Sequence, residues 1–171
     1  MRNKHIRSIT QIAICVAIMC ILAQISIPIS LIPITFQIFA VALCGYIMGL
    51  KKSIVAITVY ILLGIVGAPV FAGFNGGFYV LLSYTGGFLW GFIPCIVLCA
   101  VCKNKHVGVA FGVLGVILCH LVGVIQYSIV SQSGIWQAFI ISSLPFIVKD
   151  IILVIIAYFI ARRINKIIKT S

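Results

Sequence analysis

The sequence predicts an all-α membrane protein, a single domain over residues 1–171 folded as a compact bundle of about six spanning helices with both ends in the cytoplasm. Three observations predict it. Hydrophobic residues make up 64% of the chain and charged residues 8%, whereas a soluble domain is about half apolar and about a quarter charged. The apolar residues fall in runs near the ~20 residues a spanning helix needs, with polar or Gly/Pro-rich breaks between them. The net charge of +11 is divided among small Lys/Arg clusters between those runs. That layout signals topology. It lacks the basic patch interleaved with aromatics that reads nucleic acid, so no nucleic-acid partner is expected.

The elements follow in order. Met1 to Arg7 is basic and leads into an apolar run of about twenty residues, longer than a signal-peptide core, with no small-x-small cleavage site after it. It reads as an uncleaved first span over 7–27, broken by Pro28 and Pro33. Span two covers 34–49 and stops at Lys51 and Lys52. Span three, 53–67, is short: at 1.5 Å per residue it covers ~23 Å of a ~30 Å hydrocarbon core. The glycine-crowded stretch GAPVFAGFNGGFYV occupies 67–80. Span four covers 79–101 and ends before Lys103 and Lys105, and span five covers 107–130. The polar loop SQSG fills 131–134, and 135–144 forms a short helix. Span six covers 146–168, with Arg162, Arg163, Lys166 and Lys169 at its far end.

Orientation comes from the basic residues. With the N-terminus inside, the inner segments hold Arg2, Lys4, Arg7, Lys51, Lys52, Lys103, Lys105, Arg162, Arg163, Lys166 and Lys169. That is eleven of the twelve, and only Lys149 lies outside. Lys/Arg bias in short loops sets orientation, so a multi-pass protein of a cell membrane, in contact with lipid, is expected.

Small residues stand four apart at Ala13/Ala17, Gly45/Gly49, Gly87/Gly91 and Gly108/Gly112, a spacing that lets helix backbones approach closely in lipid. Internal packing is the plain reading of most of these pairs. The seven cysteines all lie in apolar runs and read as small buried apolar side chains. Cys99 and Cys102 have a C-x-x-C spacing without a second pair. They lie toward the cytoplasmic end, where thiols stay reduced, so no metal or redox role is expected.

Several chemistries are absent. There is no G-x-x-x-x-G-K-[ST] phosphate loop, no H-E-x-x-H and no G-x-S-x-G elbow. Asp150 is the one acidic residue, which excludes a paired-carboxylate mechanism. His120 lies within span five without an acidic neighbour in sequence and reads as a buried histidine satisfied by a carbonyl. No enzyme and no cofactor are expected. A binding or transport component remains, energised elsewhere.

Two outward features then stand out. In PVFAGFNGG, residues 69–77, Gly73, Gly76 and Gly77 remove side chains and permit positive φ, so backbone amides can face a ligand. Asn75 adds a donor and an acceptor. A plain turn is the alternative, since Asn-Gly is a turn signal. The second feature is Lys149-Asp150 at the outer end of span six, where charge beside a membrane is costly and usually functional. A carboxylate accepting N–H bonds, with an amide or ammonium donating to a carbonyl, matches a cyclic urea. Phe71, Phe74, Phe78, Tyr79, Tyr84 and Trp90 are available for an apolar remainder.

These residues resemble the BioY family, the biotin-specific S components of energy-coupling factor (ECF) transporters. The resemblance rests on IPITFQIFAVALCGYIMG over 32–49, GIVGAPVFAGFNGG over 64–77, YTGGFLWGF over 84–92 and LPFIVKD over 144–150. It implies a six-helix fold of ECF S-component type, biotin bound from the outer side of a bacterial cell membrane, and partners in a transmembrane coupling protein and two cytoplasmic ATPases. Biotin is then the transported ligand and not a cofactor. The resemblance further implies that Asp150 holds the ureido group, that Asn75 supplies the loop's polar contact, and that Gln37 matches a family position in helix two. Ala13 and Ala17 match the pair that packs on the coupling protein. The sequence also departs from the family pattern. Lys149 stands where the family has glycine, Leu153 where it has lysine, and Tyr84 where it has proline before Thr-Gly-Gly. Lys149 lies ~100° from Asp150 around the helix, so either it reaches round to replace the lost lysine or it faces lipid headgroups. Lysines at span ends snorkel, which favours the second. The alternatives to a biotin-binding subunit are a self-sufficient channel or carrier for another solute, or an assembly subunit without a ligand.

Overall fold

The computed structural model of the chain describes residues 2–28, 32–101 and 107–170. Cys102, Lys103, Lys105 and His106, and the middle of the Pro28–Pro33 loop, lie outside the described residues. Helix α1 (Arg2–Gln24) leads into a two-stranded antiparallel ladder, β1 (Ser26–Ile27) with β2 (Ile34–Thr35), in which Ser26 pairs with Thr35. The expected first and second spans therefore each give up a few residues to this hairpin. Prolines 28 and 33 bound the loop between its strands and cannot continue a helix.

Helices α2 (Gln37–Met48) and α3 (Leu50–Ile65) follow, separated by Gly49 at φ +74°, a left-handed corner that suits glycine. The glycine-rich stretch folds as a short 3-10 turn over Ala72–Phe74, closed by bonds between Phe71 and Asn75. Then come α4 (Phe78–Leu82), α5 (Gly86–Val101), α6 (Gly108–Ser131), α7 (Ile135–Ser142) and α8 (Leu144–Thr170).

The expected continuous span over 79–101 is instead two helices broken at Ser83–Thr85. The break is held from outside: Gln126 Nε2 on α6 donates to Leu81 O at 2.7 Å and Ser83 O at 2.9 Å. Carbonyls freed by the break thus find a partner, as buried backbone in lipid must.

Among the described residues, His5–Gln24, Gly108–Ser131 and Leu144–Ile167 are long and apolar enough to cross a membrane. Gln37–Met48 and Gly86–Val101 are apolar but shorter. Many outward side chains on the long helices are apolar, among them Ile21, Leu121, Ile129 and Ile152, the reverse of a water-soluble helix.

The bundle packs α5 along α6, α2 against α8 and α5, and α1 along α3. Close approach depends on small residues. A Cβ at Gly91 would lie 2.7 Å from Cys119 Cα, and one at Gly45 2.7 Å from Cys99 Cβ. Both glycines serve internal packing. Tyr60, Phe71, Met19 and Leu81 are wholly buried at the centre.

Candidate functional site

A cavity of about 300 Å³ opens at the end of the bundle where α2, α5 and α8 begin, at the small end of the range for small-molecule sites. Phe71, Tyr79, Tyr84, Phe88, Phe92 and Phe146 supply its aromatic wall. Phe74, Phe78 and Trp90, the other aromatics suggested by sequence, are not in it, and Phe74 is 70% exposed.

Asp150 lies on the second turn of α8 and lines the cavity with its side chain 13% exposed. Its Oδ2 is 3.1 Å from His120 Nε2 on α6. Its Oδ1 is 2.6 Å from Lys149 Nζ, an ion pair by distance that lacks the alignment of a hydrogen bond. Lys149 Nζ also donates to Thr35 O at 2.7 Å. Lys149 therefore lines the cavity, with its side chain 28% exposed and its ammonium held between Thr35 O and Asp150. Its long stem carries the ammonium round the helix, and the carbonyl at the end of β2 gives it a fixed acceptor. Leu153 is buried in the apolar core.

His120 is buried, and its partners differ from the carbonyl expected from sequence. Nδ1 meets Ser143 Oγ at 2.8 Å, Nε2 meets the Asp150 carboxylate, and the Phe88 ring stands edge-on at 5.6 Å. Serine, histidine and aspartate are the residues of a hydrolytic triad. Here, however, Ser143 is wholly buried and is not among the residues lining the cavity. No substrate carbonyl can reach it, so the arrangement orients groups and attacks nothing.

The structure places the other sequence candidates as follows. Asn75 and Tyr84 line the cavity, and Asn75 Nδ2 donates to Ala72 O at 2.7 Å. Gln37 lines it too, but both ends of its amide are committed. Nε2 donates to Tyr60 Oη at 2.8 Å, and Oε1 accepts from Thr35 Oγ1 at 3.2 Å. Gly73 and Gly76 do not line the cavity. Gly73 takes φ +69°, and a Cβ on Gly76 would collide with Ala68 O. They shape the loop that carries Asn75.

Sequence reasoning missed His120, Ser142 and Gln24. Ser142 Oγ is buried in the cavity wall without a hydrogen-bond partner. Gln24 clamps the loop to α1, donating to Pro69 O and Phe71 O and accepting from Phe74 N. Ala13 and Ala17 lie far from the cavity, in a shallow apolar groove between α1 and α3, and both are exposed. Among the described residues no three metal-ligating side chains gather.

Chemically, one anion and one cation at the cavity wall cancel, and the rest of the wall is mainly aromatic and aliphatic with a few neutral polar groups, among them Asn75, Ser83 and Thr85. Such a site suits a neutral group with N–H beside C=O, attached to an apolar body.

Comparison with known proteins gives the family. The sequence model of the BioY family matches residues 1–170. The chain is 35% identical over 159 residues to a Pyrococcus horikoshii protein named "Probable biotin transporter BioY", covering 93% of this chain and 96% of that one. It is 35% identical over 164 residues to the "Biotin transporter BioY" of Thermotoga maritima, covering 94% and 96%. A crystal structure described as the S-component for biotin from an ECF-type ABC transporter superposes with a TM-score of 0.90 at 27% identity, over 97% of this chain and 94% of that one.

Proposed function

This chain belongs to the BioY family, and from that premise we infer that it is the biotin-binding subunit of a vitamin uptake transporter, a transport component and not an enzyme. The observation that carries the reading is the placement of the chain's one acidic residue in the wall of an aromatic cavity, next to a lysine. Asp150 Oδ1 accepts from a ureido N–H, Lys149 donates to the ureido carbonyl, and Asn75 and Tyr84 contact the ligand from the loop side. Gln37 holds Thr35 and Tyr60 in place behind them.

Helices α1, α2, α3, α5, α6 and α8 cross a bacterial cell membrane with both chain ends in the cytoplasm, and the basic residues support this sense. The exposed Ala13/Ala17 groove docks a transmembrane coupling protein, to which two cytoplasmic ATPases supply energy. The test is calorimetry on purified protein in lipid nanodiscs, with a thermal-shift screen of vitamins beside it. Biotin alone is expected to bind below micromolar concentration and to raise the melting temperature. A screen in which biotin gives no shift overturns the reading.

A further inference from the structure

His120 is a buried titratable side chain to which the proposed ligand contacts give no part. Its surroundings fix its state. Ser143 sits at the turn between α7 and α8, where its N–H donates to Phe139 O and its carbonyl accepts from Phe146 N and Ile147 N. The Ser143 hydroxyl, wholly buried, faces His120 Nδ1 at 2.8 Å. The other nitrogen, Nε2, faces a carboxylate oxygen at 3.1 Å, and a carboxylate only accepts. Nε2 therefore carries a proton, and Nδ1 meets the Ser143 hydroxyl, which can donate or accept. The Phe88 ring, edge-on at 85°, restrains the imidazole plane.

The consequence falls on Asp150. The terminal torsion of an aspartate is broad, so the carboxylate plane can rock about it. Lys149 attracts Oδ1 at 2.6 Å but without the alignment of a hydrogen bond, from a side chain that is 28% exposed. The Nε2–H bond from the buried His120 supplies the direction: it ties one oxygen to α6 and so fixes the plane. The other oxygen, Oδ1, stands buried at the cavity wall without a hydrogen bond.

We propose that His120, oriented by Ser143, is a positioning residue that locks the Asp150 carboxylate with Oδ1 presented to the ligand. Affinity then depends on a protein hydrogen bond one step removed from biotin, made in advance of binding, so that less ordering remains to be done when the ligand arrives. This inference rests on the biotin-binding reading and adds to it a role for His120, which also lines the cavity, exerted through Asp150.

Side-chain geometry supplies the test. Glutamine places its amide nitrogen where Nε2 stands and can still donate to Asp150. Asparagine places its amide where Nδ1 stands, keeping the Ser143 contact and losing Asp150. Phenylalanine fills the space and makes neither bond. Biotin dissociation constants are measured by calorimetry for the parent, His120→Gln, His120→Asn and His120→Phe, with melting temperatures taken without ligand. His120→Gln is expected to stay within about threefold of the parent, and His120→Asn and His120→Phe to bind roughly tenfold or more weakly.

Should His120→Phe fail to fold, Ser143→Ala keeps the imidazole and removes the hydroxyl that orients it, with an expected loss of about three- to tenfold. Parent-like affinity in His120→Phe or in Ser143→Ala, or rescue by asparagine as full as by glutamine, overturns the proposal while leaving the biotin reading intact. A parent that binds no biotin overturns both.

Discussion

Asp150→Asn keeps the size of the side chain and removes its charge, and its consequences can be worked out from the contacts. Oδ2 accepts from His120 Nε2 at 3.1 Å, and Oδ1 stands 2.6 Å from Lys149 Nζ. If the new amide keeps its oxygen on His120, its NH2 group faces the ammonium. If it turns over, NH2 faces Nε2, which can accept only if the imidazole proton sits on Nδ1 and is donated to the Ser143 hydroxyl. Either a donor opposes a donor or the imidazole changes tautomer, and in both cases the charged acceptor offered to the ligand is lost. A hydrogen bond to a charged group contributes about 1.5–3 kcal/mol, so biotin affinity should fall roughly ten- to a hundredfold. The unliganded fold should suffer less. The Lys149 side chain is 28% exposed and keeps Thr35 O, so it can turn toward water, which limits the loss of stability. Calorimetry with biotin reads the first effect and a ligand-free melting curve the second. Affinity within about twofold of the parent, with a normal melting curve, refutes the assignment of Asp150 to the ligand.

Lys149→Met retains an apolar stem and removes the ammonium, with biotin binding expected to weaken roughly tenfold by calorimetry; a lysine that only faced headgroups would leave it unchanged. Gln24→Leu deletes the bonds to Pro69 O, Phe71 O and Phe74 N. It should destabilise the loop by about 1–2 kcal/mol, seen as faster hydrogen exchange over residues 71–74 with α6 protection unaltered. Ala17→Trp fills the groove between α1 and α3 and should abolish copurification with the coupling protein while biotin affinity stays at the parent value. Loss of biotin binding in that variant would contradict the separation of the two surfaces.

The fold was legible where one helix carries one apolar run. The runs behind α1, α6 and α8 define those helices to within a few residues, because twenty apolar residues in succession leave lipid as the only solvent. The break at Ser83–Thr85 was only partly legible: the Ser83 and Thr85 hydroxyls that bond across it are local, but the partner of Leu81 O and Ser83 O is Gln126, some forty residues away in sequence. Periodicity does not show which side chain of α6 reaches those carbonyls. The hairpin of Ser26–Ile27 with Ile34–Thr35 was hidden for a similar reason. Its flanking prolines announce an end to helix but not what replaces it.

The site divides along the same line. Asp150 could be found because a lone acid in an apolar chain needs a reason. Lys149 could not be placed, because its direction is set by Thr35 O, 114 residues away in sequence, and helix periodicity describes only the backbone it hangs from. His120 was misread although a signal existed. It is the one histidine within an apolar run, the chain has one carboxylate, and two such groups in lipid are cheaper together than apart.

The polar groups at this end of the bundle form one connected chain. Val70 O accepts from Tyr60 Oη, Tyr60 Oη from Gln37 Nε2, and Gln37 Oε1 from Thr35 Oγ1. Thr35 O accepts from Lys149, which pairs with Asp150, which is held by His120 and through it by Ser143. The glycine-rich loop, α3, α2, the hairpin, α8 and α6 are thereby tied through side chains that would each be costly to bury alone. Among the described residues, Ser142 Oγ has no hydrogen bond and Asp150 Oδ1 has only the unaligned Lys149 ammonium, and both atoms belong to residues lining the cavity. On the biotin-binding reading these are the two places where a ligand's polar edge gains most, since a buried polar atom without a hydrogen bond is costly. The lone acid would then serve two sides at once: His120 holds one oxygen, and the oxygen beside Lys149 is the one a ureido N–H would approach.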